Sequence, residues 1–187
     1  MSIWFTSDLH FNNENVIKYN NRPFNSVEEM NEKLIENWNS IVSQEDIVYV
    51  LGDFIMGSPK DVKPILDKLK GKIILIVGNH DTNAKLDIYS ELNIEIHEVL
   101  KLKIGKIIYI LFHYPIFIRS WEGQTKNRIY ALSGHTHSEN KFYENIPWNY
   151  NVGVDANNYK PVNIEDIKQA FKEKEENLNK KVEELKC

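Results

Sequence analysis

The chemistry-bearing residues of this 187-residue chain fall in five short clusters: Ser-Asp-Leu-His at 7–10, Gly-Asp-Phe at 52–54, Gly-Asn-His-Asp at 78–81, His-Tyr-Pro at 113–115 and Gly-His-Thr-His at 134–137. Together they hold five of the six histidines. Imidazole, carboxylate and carboxamide are donor groups for divalent transition metals. The single cysteine, Cys187, is the last residue, so a thiolate zinc site and a disulfide framework are both excluded. Asp8 and His10, like His135 and His137, stand two residues apart, and in extended chain both members of such a pair point to one face. Gly52, Gly78 and Gly134 let the chain turn sharply beside the donors, so that they can face a common centre. Any one of these pairs alone is a weak signal. His97, outside every cluster, reads as an ordinary surface histidine.

Each cluster follows an apolar run that reads as a buried strand: 3–5, 47–51, 73–77, 107–112 and 129–132, with a sixth at 150–155. Ligands gather beyond the carboxyl ends of strands in open α/β sheets, so five clusters in that position converge on one site. A helix is predicted over 26–42, with Ser26 and Glu29 as a capping box and an apolar stripe from Val27 to Val42. A shorter helix is expected at about 59–69, its start delayed by Pro64, and a hairpin at 101–108 turns at Gly105. Strands and helices alternate early and strands dominate late, which predicts an α/β layered fold with mixed sheets. The domain is expected to span 1–162, with 163–187 a charged amphipathic helix resting one stripe on it; self-association through that stripe is the alternative.

The whole-chain numbers narrow the function. A net charge of -4 without a basic cluster argues against long nucleic acid as a partner, and no apolar run is long enough for a membrane span. The first residues lack the pattern of a secretory signal, so a cytoplasmic location is the expectation.

The ordered set DLH, GD, GNHD, H and GHTH, from Ser7 to His137, resembles the signature of the calcineurin-like metallophosphoesterases. The resemblance implies a four-layer αββα sandwich, two mixed β-sheets face to face with helices on the outer sides. It implies one metal on Asp8, His10 and His137, a second on Asn79, His113 and His135, and Asp53 bridging both. His80 matches the family's catalytic histidine, with Asp81 orienting or stabilising it. Where many members carry a second acid, GDFIMG has Met56, and no long insertion forms a cap.

Two divalent ions about 4 Å apart repel by roughly 16 kcal/mol at an effective dielectric near 20, so a shared anion such as Asp53 is required. The donor mix favours manganese, with iron or zinc as alternatives. The expected activity is hydrolysis of small phosphoesters, foremost phosphodiesters, by a hydroxide that the two ions activate. Phosphomonoesterase, nuclease or an inactive metal-binding scaffold are the other readings. Of the three arginines, Arg22 and Arg119 are candidate substrate contacts.

Overall fold

Largely apolar runs form the central strands of two sheets, because a strand buried on both faces has little place for polar residues. A computed structural model describes residues 1–118 and 128–184. The first sheet has the order β10-β1-β2-β3-β4, from β1 (Ile3–Thr6), β2 (Ile47–Leu51), β3 (Lys72–Ile76), β4 (Glu95–His97) and β10 (Val162–Asn163). The second has the order β5-β6-β7-β9-β8, from β5 (Leu100–Ile104), β6 (Ile107–Leu111), β7 (Arg128–Ser133), β8 (Phe142–Tyr143) and β9 (Ile146–Asn151). In the first sheet β1 to β4 run parallel with β10 antiparallel; in the second, β6, β7 and β9 run parallel and β5 and β8 oppose them. This is the expected sandwich of two mixed sheets with helices.

Two cores hold the layers together. One joins the outer face of the first sheet, through Val48, Val50 and Leu75, to α1 (Glu14–Tyr19), α2 (Val27–Asn39), α3 (Val62–Leu66) and α4 (Asn83–Glu91). In α2, Met30, Leu34 and Trp38 recur every four residues, are essentially fully buried, and so form the stripe that meets the sheet. Each such side chain contributes about 1.5–3 kcal/mol through removal from water. The second core lies between the sheets, where Phe5, Leu51 and Ile76 meet Tyr109, Leu111, Leu132 and Tyr150. The last helix, α5 (Ile164–Glu184), inserts Ile164, Ile167 and Phe171 into that core, with Phe171 stacked on Tyr130 at 3.9 Å between centroids. Glu175, one turn further, accepts from Tyr130 Oη at 2.6 Å and from Arg128 at 2.7 Å. The tail's first half is therefore part of the packed body.

Local expectations needed three adjustments. Ser26 caps α2 by accepting from the Glu29 N–H at 3.2 Å, but Glu29 reaches back to the Asn25 N–H at 2.7 Å and not to Ser26. The segment from 59 begins as a 3₁₀ turn (Pro59–Asp61), and Pro64 then sits in the first turn of the short α3, where its missing N–H costs nothing. The sixth strand lies earlier, at Ile146–Asn151, and the expected strand residues 154 and 155 belong to a 3₁₀ turn (Val154–Ala156). The hairpin turns at Gly105, as expected, with φ of 61°. Among the described residues, no helix is long and apolar enough to cross a membrane.

Candidate metal centre

The five clusters leave the carboxyl ends of β1, β2, β3, β6 and β7, and the two sheets touch where they do. Ser7 and Gly153 form an isolated parallel bridge between the sheets, and the Val154 N–H donates to the Ser7 carbonyl at 3.1 Å. The donor pairs are not extended, as the two-residue spacing had suggested. Asp8, His10, Asp53, His135 and His137 all adopt left-handed backbone, with φ between 50° and 71°. This conformation aims each side chain out of its strand direction, at a cost on the order of 1 kcal/mol per residue. Aspartate and histidine are among the side chains that tolerate it best. Gly134 serves a different need: a methyl group there would collide with Ser7 Oγ and with Asp8 Oδ2, so glycine allows the β7 loop to lie against the β1 loop. Gly52, with φ of 88°, lets the β2 loop turn beneath His113.

Asp8, His10 and His137 bring their donor atoms within 4.8 Å of one another, and so do Asp8, Asp53 and His113. His113 Nδ1 lies 2.8 Å from the Leu51 carbonyl, which can only accept, so the proton is on Nδ1 and Nε2 keeps its lone pair. That lone pair faces Asn79 Oδ1 at 2.9 Å, and His135 Nδ1 stands 3.0 Å from the same oxygen and 3.2 Å from His113 Nε2. Two acceptors, Asn79 Oδ1 and His113 Nε2, thus face each other with His135 Nδ1 beside them, an arrangement that a cation would satisfy. His10 Nε2 is buried without a hydrogen-bond partner. Burial, reinforced by His137 and Arg22, holds the His10 imidazolium range down to about 2, so this ring is a neutral donor at physiological pH. Burial pushes the Asp8 carboxyl the other way, up to about 6, against the opposing pull of His137 and His113. Asp53 Oδ2 stands between the sets, 3.4 Å from His10 Nε2 and 3.7 Å from His113 Nε2. The orphaned imidazole and facing lone pairs fit divalent metal ions.

His80 is solvent-exposed and outside these sets, its ring centroid 5.5 Å from that of His10. Its backbone N–H donates to Asp53 Oδ1 at 2.9 Å, so the bridging candidate also anchors the His80 loop. Lys85, buried in α4, holds the same loop by donating to the His80 carbonyl at 2.7 Å and to that of Ile55 at 2.8 Å. Asp81 departs from expectation. Its carboxylate accepts from the N–H groups of Gly78 and Asp53 at 2.9 Å and Phe54 at 3.2 Å, so it braces the β2 and β3 loops and its bonds do not go to the His80 ring.

Arg22 also needs correction as a substrate contact. Its side chain is 0% exposed. Nε and Nη2 donate to the two oxygens of Asp155 at 2.8 and 2.9 Å, while Nη2 and Nη1 donate to the carbonyls of Asp8 and Leu9 at 2.7 and 3.1 Å. Arg119 lies outside the described residues. His97 pairs with Glu95 at 2.8 Å on the edge strand β4, and its side chain belongs to neither donor set.

The residue that sequence reasoning missed is Asp155, whose Oδ2 accepts from His137 Nδ1 at 2.9 Å. Burial alone would raise its carboxyl, but the bonds from His137 and Arg22 outweigh burial and hold it below the ordinary carboxylate range. The available signal was its place beyond a strand end, two residues after Gly153.

A two-sheet α/β sandwich carrying this ordered donor set at its strand ends defines a class, and comparison with known proteins assigns it. The profile of the calcineurin-like phosphoesterase family matches residues 1–178, and the chain belongs to that family. Divalent metal ions are therefore implied. An uncharacterized protein of Methanocaldococcus jannaschii is 37% identical over 171 residues, 87% of each chain. The gene 66 protein of Mycobacterium phage L5 is 38% identical over 81 residues, 42% of this chain and 39% of the phage protein. A crystal structure of a protein of unknown function from Aquifex aeolicus superposes with a TM-score of 0.71 at 25% identity, covering 90% of this chain and 98% of that one.

Proposed function

We propose that the chain is a metal-dependent hydrolase of small phosphodiesters, working with two divalent ions of which manganese is the favoured identity. The observation that carries this reading is the double engagement of Asp53. One oxygen lies between the two donor sets and the other receives the His80 N–H at 2.9 Å, so the exposed imidazole is hung beside the place where both ions would meet. Asp8, His10 and His137 would hold one ion, Asn79, His113 and His135 the other, with Asp53 shared. Bound ions would supply the Lewis acidity that activates water and neutralises phosphoryl charge. His80 donates a proton to the departing oxygen, and Lys85 keeps its loop in register. Asp81 does not act on substrate in this reading; it holds the backbone of Asp53.

The diester preference rests on charge. Arg22 is committed to Asp155, and Lys85 to two carbonyls, so neither offers a cation to the extra negative charge of a monoester. Net charge of -4 supports small substrates over long nucleic acid. The test is metal analysis of the purified protein followed by a panel of mono- and diesters at matched manganese. Two ions per chain with faster diester turnover is expected. Faster monoester turnover would overturn the substrate class, and two bound ions with no turnover would favour the inactive scaffold.

A further inference from the structure

Asp155 belongs to neither donor set, yet it joins one of them, through His137, to the interior of the fold. We propose that Asp155 and Arg22 form a positioning unit for the ion held by Asp8, His10 and His137. This rests on the metal-centre reading above and adds to it two residues that act through a ligand and not on substrate.

The geometry assigns the roles. Asp155 Oδ2 accepts from His137 Nδ1 at 2.9 Å, which places the His137 proton on Nδ1 and leaves the Nε2 lone pair as the donor. Asp155 is itself kept from becoming a ligand, because Arg22 Nε and Nη2 grip both of its oxygens at 2.8 and 2.9 Å. The same guanidinium then reaches the Asp8 carbonyl at 2.7 Å and the Leu9 carbonyl at 3.1 Å. These carbonyls flank the left-handed turn that presents Asp8 and His10. One buried ion pair, with side-chain exposures of 0% and 5%, thus ties together the loop after β1, the loop after β7 and the turn after β9. All three converge on one ion site. A buried ion pair is a poor stability device, since apolar replacement of both partners is often neutral or stabilising. What the pair does supply is a fixed direction for His137 and a fixed backbone for Asp8.

The experiment is a calorimetric manganese titration of the metal-free full chain, run with the wild type, Asp155→Asn, and the double variant Arg22→Met/Asp155→Leu. The double variant leaves no unpaired charge in the interior, so it keeps the test valid if Asp155→Asn does not fold; thermal unfolding of each metal-free protein checks this. The expected result is a loss of about 10- to 100-fold in affinity at one of two sites, with the other site unchanged. In a His137→Ala background, Asp155→Asn should add much less than it does in the wild type, because the ligand it directs is gone and only the Arg22 hold on the Asp8 backbone is left to disturb. Nitrogen chemical shifts of His137 in the metal-free wild type should report an Nδ1-protonated ring, and in the double variant a mixture. Equal weakening of both sites, a full effect in the His137→Ala background, or an unchanged ring tautomer would show that the pair only supports the fold. A wild type that takes up no divalent ion would overturn the metal centre and this proposal together, whereas absence of hydrolysis with normal titrations would overturn only the proposed activity.

Discussion

Gly134→Ala tests the close approach on which the whole centre depends. The backbone at Gly134 has no positive φ, so alanine adopts it without strain and any effect must be steric. The added methyl would lie 2.6 Å from Ser7 Cβ and in collision with Ser7 Oγ and Asp8 Oδ2, where ordinary carbon contacts begin at about 3.5 Å. Neither neighbour can yield freely. Ser7 Oγ donates to the Leu51 carbonyl at 2.6 Å, and Asp8 Oδ2 accepts from the His135 N–H at 2.9 Å. The β1 and β7 loops must therefore separate by roughly 1 Å, an overpacking cost of about 1–3 kcal/mol. For a chain of this size that lowers Tm by roughly 2–12 °C. The functional loss should be larger, since a misplacement of about 1 Å costs on the order of 10²-fold in rate. Gly105→Ala is the control: φ of 61° strains the alanine by about 1–2 kcal/mol, yet nothing lies within 4 Å of its methyl. It should lose stability and keep activity. The assay pairs thermal unfolding with manganese titration and hydrolysis of bis-p-nitrophenyl phosphate. Gly134→Ala with wild-type metal affinity and turnover would refute the packing of these loops.

Four further outcomes are expected. Asp53→Asn removes the shared negative charge, so metal occupancy and hydrolysis should fall together, while His97→Ala leaves both unchanged; elemental analysis and rates on the same samples decide it. His80→Ala should retain both ions yet slow alkyl or nucleoside diesters at least about 10²-fold more than p-nitrophenyl esters, whose departing oxygen needs little proton donation; equal slowing across a leaving-group series in kcat/KM would remove its role as acid. Phe171→Ala, which empties the stacked site against Tyr130, should cost about 3–5 kcal/mol and be visible as a lower Tm with the metal titration unchanged. Manganese at about 100 times its dissociation constant should stabilise the native state by roughly 2.7 kcal/mol for each ion, read as a rise in Tm that a chelator reverses.

The sequence carried the parts of the site that residue type and position encode. The strand over Ile47–Leu51 was legible at both ends because an uninterrupted apolar run is bounded by an acidic turn and by Gly52. β8 and β10, of two residues each, have no periodicity to read and exist through pairing alone. The candidate metal donors were legible as types in order, but the way they are aimed was not. Two-residue spacing implied extended chain, and the structure instead uses left-handed backbone at five of the seven. Arg22 shows the limit of type alone: a guanidinium suits a phosphate and a buried carboxylate equally, and only the fold brings Asp155, 133 positions away, into its fork. Asp81 is similar, for its three backbone partners come from two different loops.

These departures share a physical cause. Left-handed donors, a neutral imidazole buried without a partner at His10, a carboxyl at Asp8 pushed upward by burial and facing lone pairs at Asn79 and His113 are each unfavourable in the metal-free chain. None can be stabilised by its own loop, since each loop is short and supplies only one or two of the groups. They persist because the two sheets lock their strand ends together through the Ser7–Gly153 bridge, and because buried charged groups on Asp81, Lys85, Arg22 and Asp155 hold the intervening backbone. Local preference and global fold agree along the strands and conflict at their ends, which is where function is expected to reside. A divalent cation relieves several of these conflicts at once, because it supplies positive charge where acceptors converge. The arrangement is therefore better understood as a fold preorganised for metal, with its instability concentrated at the centre, than as a stable scaffold to which ligands were added.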